Sequence, residues 1–385
     1  MRRFYSAASV ALAGFFTVLP LPTARVARAI DPQLYAGLTW RNLGPFRGGR
    51  ISAVSGAVGQ PGVFYAGLPA AGVWKTTSAG ETWYPVFDAV KDVSSIGAID
   101  VAPSNPSVIY VGTGDMVTGG AINEGNGVYT SSDAGSTWRH IGLDSTRQIP
   151  SMLVDPLDPN VVLVAAQGDL HVRSGARGVF RTTNGGATWT RTLFADDTTG
   201  AQKLARANDV PAVIFATTVK HFTAPFAPSR QPVRQAAADT GRTNTALYKS
   251  TDGGMTWRET SGGGLPRLNG RTSVAVAMHT NAQRVFLVSD NGLYRSDDGG
   301  ASWKQMAADD ERIRNGQGGY NCGVYVDPQN PDVVYTISTS SYRSTDGATR
   351  SPDSRARQAA MIRSSSGSTR PTEAACCSGS TRAQS

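Results

Sequence analysis

The sequence predicts an all-β protein, a β-propeller with about five complete four-stranded blades and a partial sixth that leave the ring incomplete. Two observations support this prediction. A short pattern ending in tryptophan recurs along residues 30–349, and a Pro/Asn-rich turn followed by an apolar strand recurs upstream of each copy. Repeats of about four strands each are typical of propeller blades. The repeated part shows no helical pattern.

The tryptophan-ending pattern is predicted to form a tight turn before the last strand of each blade. It occupies residues 131–138, 182–189, 250–257 and 296–303; a degenerate first copy, 76–83, has Ser78 in place of the acid, and a sixth copy breaks after Gly347. The acid or amide can accept hydrogen bonds from nearby backbone N–H groups, and the glycines supply unusual backbone angles. We therefore expect a structural role for Asp133, Trp138, Asn184, Trp189, Asp252, Trp257, Asp298 and Trp303.

The second unit is clearest at residues 102–106, 155–159 and 327–331, each followed by a strand of Val, Ile, Leu or Tyr. Weaker versions begin near residues 60, 210 and 281. One blade is therefore predicted to read strand, Pro/Asn turn, strand, strand, acidic turn and tryptophan-led strand.

The tryptophan-ending copies resemble Asp-box repeats, also called bacterial neuraminidase repeats. These repeats occur in sialidases, in xyloglucan-degrading glycoside hydrolases and in the sortilin-type receptor ectodomain. The opening residues 40–50 (WRNLGPFRGGR) resemble the start of large secreted bacterial proteins with sortilin-like propellers. The resemblance implies the fold. It leaves function open, because Asp boxes occur in enzymes and in non-enzymes.

Two functional hypotheses follow. The leading one is a sortilin-like propeller that binds a protein or peptide, or serves as a scaffold, without a catalytic site. The alternative is a degenerate or fragmentary glycoside hydrolase, xyloglucanase- or sialidase-like, that binds or cleaves glycans. The resemblance places a catalytic Asp of xyloglucan-degrading enzymes about where this chain has Pro69, and residues 46–50 lack the Ile-Pro of sialidases. Glycosidases use two carboxyl groups, so the sequence disfavours an enzyme and predicts no catalytic residue.

Loops that interrupt the repeat are the better candidates for a ligand site, since rigid scaffolds often carry function on loops. Arg47 and Arg50 lie in a glycine-rich opening loop, although they could instead close the propeller by binding backbone carbonyls or acids. Asp115 and Glu124 lie in a long insertion between two strands. No cofactor or metal site is predicted, because His140, His171, His221 and His279 are scattered and only Cys322 belongs to the repeated body.

The two ends of the chain differ from the body. Residues 1–29 pair Arg2 and Arg3 with an apolar stretch and an Ala-Arg-Ala site, which predicts a signal peptide and a secreted or periplasmic protein without a membrane span after cleavage. The alternative is an uncleaved anchor. The net charge of +8 resides in residues 1–29 and 350–385. The body is neutral, so we expect no binding to nucleic acid.

Residues 350–385 are rich in Arg, Ser, Thr and Ala and contain Cys376 and Cys377. They are predicted to form a disordered, low-complexity tail. A sharper hypothesis is that this stretch is propeller sequence read in another frame, so that the natural protein continues beyond residue 349. Resequencing the gene across codons 347–350 tests that hypothesis.

Overall fold

A computed structural model describes residues 51–115, 123–220, 245–308, 310, 313, 322–338 and 340–349, together with the backbone of residues 354 and 355. These residues form six four-stranded antiparallel sheets arranged as propeller blades, with almost no helix. In each sheet the strands are neighbours in chain order. The predicted fold class is confirmed. The sixth blade has a fourth strand, although it is only two residues long.

The first three blades contain strands β1 to β12. Blade 1 consists of β1 (Ala53–Gly56), β2 (Phe64–Leu68), β3 (Gly72–Thr76) and β4 (Tyr84–Pro85). Blade 2 consists of β5 (Ile96–Val101), β6 (Ile109–Thr113), β7 (Val128–Ser131) and β8 (Arg139–His140). Blade 3 consists of β9 (Ser151–Val154), β10 (Val162–Ala166), β11 (Gly178–Thr182) and β12 (Thr190–Leu193).

The last three blades contain strands β13 to β24. Blade 4 consists of β13 (Thr199–Arg206), β14 (Ile214–Lys220), β15 (Leu247–Ser250) and β16 (Arg258–Thr260). Blade 5 consists of β17 (Ser273–Val276), β18 (Val285–Ser289), β19 (Gly292–Ser296) and β20 (Lys304–Met306). Blade 6 consists of β21 (Gly323–Val326), β22 (Val334–Ile337), β23 (Ser341–Ser344) and β24 (Ser354–Arg355).

The apolar core is divided among the junctions between blades. Five clusters of buried side chains lie between blades 1 and 2, 2 and 3, 3 and 4, 4 and 5, and 5 and 6. Tyr65 and Ile96 typify the first of these clusters, and Phe215 and Leu287 the fourth. Each blade is therefore stabilised by burying apolar surface against its neighbours.

The first strands of successive blades are also joined by buried hydrogen bonds. At each of these junctions a side chain of one first strand accepts a hydrogen bond from a backbone N–H at the next first strand. The pairs are Ser55 Oγ with Val101 N (3.1 Å), Asp100 Oδ2 with Val154 N (2.8 Å), Ser151 Oγ with Leu204 N (3.1 Å), Gln202 Oε1 with Thr272 N (3.3 Å) and Ser273 Oγ with Val324 N (3.3 Å).

A second set of contacts, here called the charged junction bonds, joins neighbouring blades nearer the outside. A cation on the third strand of one blade donates to a carbonyl in the turn between the third and fourth strands of the next. The pairs are Lys75 with Ala134 (3.0 Å), Arg181 with Gly253 (3.1 Å), Lys249 with Gly299 (2.6 Å) and Arg295 with Gly347 (2.9 Å). Between blades 2 and 3 the bond is neutral instead, from the Tyr110 hydroxyl to the Pro159 carbonyl at 2.9 Å.

The meander gives the propeller two distinct faces. Connections from first to second strand and from third to fourth strand emerge at one end of each blade, because neighbouring strands are antiparallel. This turn face carries the Pro/Asn-rich turns and the tryptophan-ending turns. The opposite loop face carries the second-to-third connections and the connections between blades, including residues 114–115 and 123–127, which are the described parts of the insertion between β6 and β7. The predicted signal peptide lies outside the described residues, and so does almost all of the predicted tail.

Candidate functional site

The acids of the tryptophan-ending turns hold those turns together. Asp133 accepts hydrogen bonds from the Ser131 hydroxyl (2.7 Å), the Thr137 backbone N–H (2.8 Å) and the Thr137 hydroxyl (2.6 Å). Asp252 and Asp298 accept equivalent bonds, and Asn184 accepts from the Thr188 N–H. Bonds from the following Thr or Ser lower the pKa of Asp133 and of Asp298 to about 2. Their geometry supports the structural role that the sequence predicts, and they lie on the turn face.

Three of the turn tryptophans reach the preceding blade. The indole N–H groups of Trp138, Trp189 and Trp257 donate to the Val86 carbonyl (2.7 Å), the Ile141 carbonyl (2.8 Å) and the Thr192 hydroxyl (3.1 Å). Trp303 differs, because it is buried and donates within its own turn, to the Gly300 carbonyl at 3.1 Å. These indoles therefore pack and bond at blade junctions.

The predicted ligand residues fall on the loop face where the structure describes them. Arg47 and Arg50 lie outside the described residues, and their role stays a prediction. Asp115 follows β6 and is only 3% exposed, with its backbone N–H bonded to the Asn123 carbonyl at 3.0 Å. It lies close enough to Arg271 to favour the charged form of that buried guanidinium. Asp115 therefore lies beneath the loop surface.

Glu124 lies on the surface of the same insertion. Its carboxylate is 3.4 Å from the Arg147 guanidinium, and both side chains are about half exposed (51% and 44%). The neighbouring Gly125 N–H donates to the Arg147 carbonyl at 2.7 Å, which fixes the loop beside β9. Of the predicted ligand residues that the structure describes, Glu124 is the one accessible from solvent.

Pro69 lies in the turn between β2 and β3 on the loop face. Its carbonyl accepts a hydrogen bond from the Asn123 side chain at 2.9 Å, which connects blade 1 to the blade 2 insertion. Nearby on the chain there is no titratable group that could replace the expected Asp, since the turn reads Pro-Ala-Ala-Gly. Pro69 thus shapes the loop, and its side chain cannot transfer a proton.

A surface feature that the sequence analysis missed lies on the loop face of blade 3. Val172 is 54% exposed and Phe194 is 43% exposed. The Arg191 guanidinium stacks on the Phe194 ring at 4.0 Å, and Arg173 pairs with Asp197 at 3.0 Å. These five residues are called the blade-3 patch below. The available signal was Phe194 itself, a large apolar residue placed directly after the last residue of β12.

A buried charged group lies at the centre of the blades. Burial raises the pKa of Asp100 to about 6, against the opposing effects of its bond from the Val154 N–H and of nearby Arg206. Arg206 in turn lies 3.8 Å from Asp155.

Burial also raises the pKa of the Cys322 thiol to about 12, so this thiol stays protonated. Within the described residues, no group of three or more His, Cys, Asp or Glu side chains could hold a metal ion.

Six repeated blades with a loop-bearing face define a β-propeller. The blade geometry does not identify the class of ligand, so that class is inferred from similar proteins of known activity. No family model matches the chain. A xyloglucanase of a Paenibacillus species is 28% identical over 273 residues, which cover 66% of this chain and 24% of that protein. Xyloglucanase Xgh74A of Acetivibrio thermocellus is 24% identical over 370 residues, which cover 87% of this chain and 42% of that protein.

Solved structures agree on the fold. The crystal structure of an ancestral GH74 enzyme has a TM-score of 0.56 and 21% identity, covering 76% of this chain and 39% of that chain. The chain is therefore a β-propeller protein with xyloglucanase homologues, and it spans less than half the length of the relatives described.

These relatives correct the leading functional hypothesis. The prediction of a sortilin-like propeller that binds a protein or peptide, or serves as a scaffold, without a catalytic site is wrong, because the similar curated proteins are xyloglucanases. The glycoside hydrolase alternative agrees better with them. The scaffold hypothesis depended on residues 40–50 and on Pro69, whereas the similarity to xyloglucanases extends over most of the chain. No helix in the described ranges is long and apolar enough to cross a membrane.

Proposed function

We propose that this chain is the glucan-binding propeller of a xyloglucanase-type glycoside hydrolase and that it binds xyloglucan through its loop face. The observation that carries the proposal is the similarity to a xyloglucanase over 87% of the chain. Similarity over several blades argues for a shared ligand class more strongly than one shared motif would.

The architecture supports the loop face as the binding side. Its connections include the insertion at residues 114–127 and the connection at residues 167–177, both longer than a tight turn. The turn face is occupied by short turns whose polar groups bond within the turn or with the preceding blade. Loops on a rigid scaffold vary without cost to the fold, so binding residues concentrate there.

Hydrolysis needs a pair of carboxyl groups flanking the scissile bond. Pro69 stands where the resemblance places one of them. The loop-face acids Asp196 and Asp197 have partners already: the first accepts from the Thr198 and Thr199 hydroxyls, and the second pairs with Arg173. We propose that this chain contributes substrate binding, and that catalytic carboxylates act elsewhere in the full enzyme.

Affinity electrophoresis through gels containing soluble xyloglucan tests the proposal. We expect retarded migration of the purified chain in xyloglucan gels and unchanged migration in gels with dextran. A parallel assay of reducing-end release measures hydrolysis. Migration that xyloglucan does not change would refute the proposed binding. Release of reducing ends by the chain alone would refute the assignment of catalysis elsewhere.

A further inference from the structure

Large exposed apolar side chains are scattered over several blades on the turn face, whereas those on the loop face belong to one blade. Within the described part of the chain, five large hydrophobic side chains are exposed. Three of them, Tyr84, Leu157 and Met255, lie in or beside connections of the turn face. The two on the loop face, Val172 and Phe194, both belong to blade 3. Scattered exposed apolar residues are ordinary, whereas grouped ones mark binding surfaces.

Phe194 is held as a platform with one open side. The Arg191 guanidinium lies 4.0 Å from the ring centroid, and it also donates to the Gly175 carbonyl. Arg191 is thereby fixed against one face of the ring. Since that face is covered, the 43% exposure of Phe194 comes from the ring's other face and its edge. An aromatic face fixed in this way can stack on a flat apolar surface without losing further side-chain freedom.

Polar groups border the platform in a rigid arrangement. Arg173 and Asp197 pair at 3.0 Å while remaining 65% and 46% exposed, so each keeps bonding capacity toward solvent. The Ser174 N–H donates to the Asp197 carbonyl at 3.0 Å, which joins the two loops that form the patch. Beneath them the fully buried Arg177 donates to the Val172 carbonyl at 3.3 Å. The patch is therefore preorganised by contacts within blade 3.

The chemistry of the patch favours a neutral polyhydroxylated ligand. A pyranose ring presents C–H groups on its faces and hydroxyl groups at its edge, which match an aromatic face bordered by a guanidinium and a carboxylate. Arg173 and Arg191 are balanced by Asp196 and Asp197, so the charges nearly cancel. A polyanion such as nucleic acid would gain little from such a surface, because its binding depends on net positive charge.

We propose that the blade-3 patch is a subsite for one glucose unit of a β-glucan chain. Phe194 stacks on the face of the sugar ring, and the Arg173–Asp197 pair binds its hydroxyl groups. This assignment rests on the proposed xyloglucan binding, and it adds the particular residues and the contact chemistry.

The test compares two exposed aromatic residues on opposite faces. Tyr84 is 41% exposed, nearly as much as Phe194, but lies on the turn face, so Tyr84→Ala is the matched control for Phe194→Ala. Dissociation constants for soluble xyloglucan are measured by affinity electrophoresis and titration calorimetry. We expect Phe194→Ala to weaken binding about tenfold, Tyr84→Ala to leave it within about twofold, and Phe194→Trp to retain it.

A second variant separates contact from folding. Asp197→Asn preserves the shape of the side chain and removes its charge, and we expect binding to weaken severalfold with an unchanged melting temperature. If wild type binds xyloglucan and Phe194→Ala binds equally well, the subsite is refuted and the proposed function stands. If wild type binds no xyloglucan, both are refuted. Equal weakening by Phe194→Ala and Tyr84→Ala would also refute the subsite.

Discussion

Asp100 offers a direct test of how the blades are held at their centre. This carboxyl is fully buried, accepts a hydrogen bond from the Val154 N–H and lies 3.4 Å from the Ser55 hydroxyl. It therefore touches the first strands of blades 1 and 3 from its own position in blade 2. Asp100→Asn keeps the shape and one acceptor oxygen while removing the ionisable group. Any pH dependence that disappears with the substitution belongs to Asp100.

The expected size and sign follow from the raised pKa. Burial lifts the pKa of Asp100 from 3.8 to about 6, so the folded protein holds this proton more tightly than the unfolded chain does. The stability contributed by the group is complete below pH 3.8 and is lost as the pH rises through 6. The shift corresponds to about 3 kcal/mol, most of which is lost between pH 4 and pH 7.

Urea unfolding followed by tryptophan fluorescence at pH 4, 5, 6 and 7 measures this loss. The free energy of unfolding of wild type minus that of Asp100→Asn is expected to fall by about 2–3 kcal/mol across the series. Asp88→Asn, at an exposed position, controls for removal of one negative charge. A difference that stays constant, or that grows with pH, would show that burial does not dominate at Asp100.

Two further predictions concern the turns. Gly254→Ala should lower the free energy of unfolding by about 3 kcal/mol, because the added Cβ would lie 2.2 Å from Leu163 Cδ2 at a φ of +81°. Gly253→Ala, at a φ of +71° with no atom within 4 Å, should cost only about 1 kcal/mol; equal urea midpoints for the two variants would contradict the packing argument. Lys249→Met should lower the free energy of unfolding by about 1–2 kcal/mol, because it loses a charged junction bond. Lys304→Met, at an exposed position, should leave the free energy of unfolding nearly unchanged, and thermal melts of the two variants measure the difference.

Much of the fold could be predicted because the information for each turn is local. Residues 250–257 contain the acid, the glycines and the hydroxyl group that form one turn, and the hydrogen bonds made by the Ser250 and Asp252 side chains join residues at most four positions apart. A pattern of this kind can be recognised in the sequence without knowing the neighbouring blades. Repetition then predicts the architecture, since blades that each bury one face against the next form a propeller.

The surroundings of single residues could not be predicted in the same way. Asp100 is the one charged residue of β5, and its charge alone would place it at the surface, yet it is buried because blades 1 and 3 cover it. Phe194 reads as the last apolar residue of a strand, yet it is exposed because the strand ends at Leu193. Both outcomes depend on contacts between residues far apart in the chain. Asp115 was expected at a ligand surface, whereas it lies beneath one.

The charged junction bonds imply that the propeller responds unevenly to ionic strength. Lys75, Arg181, Lys249 and Arg295 each bond a carbonyl of the following blade near the surface, where added salt screens the attraction. The bond from Tyr110 to Pro159 carries no charge and escapes this screening. Concentrated salt should therefore weaken these four bonds more than the Tyr110–Pro159 bond, while the apolar clusters at every junction and the neutral bond from Tyr65 to Ala134 stay in place. Blade 3, which presents the candidate binding surface, would therefore be joined to blade 2 by a bond that depends less on ionic strength than the bond from Arg181 to Gly253 that joins it to blade 4.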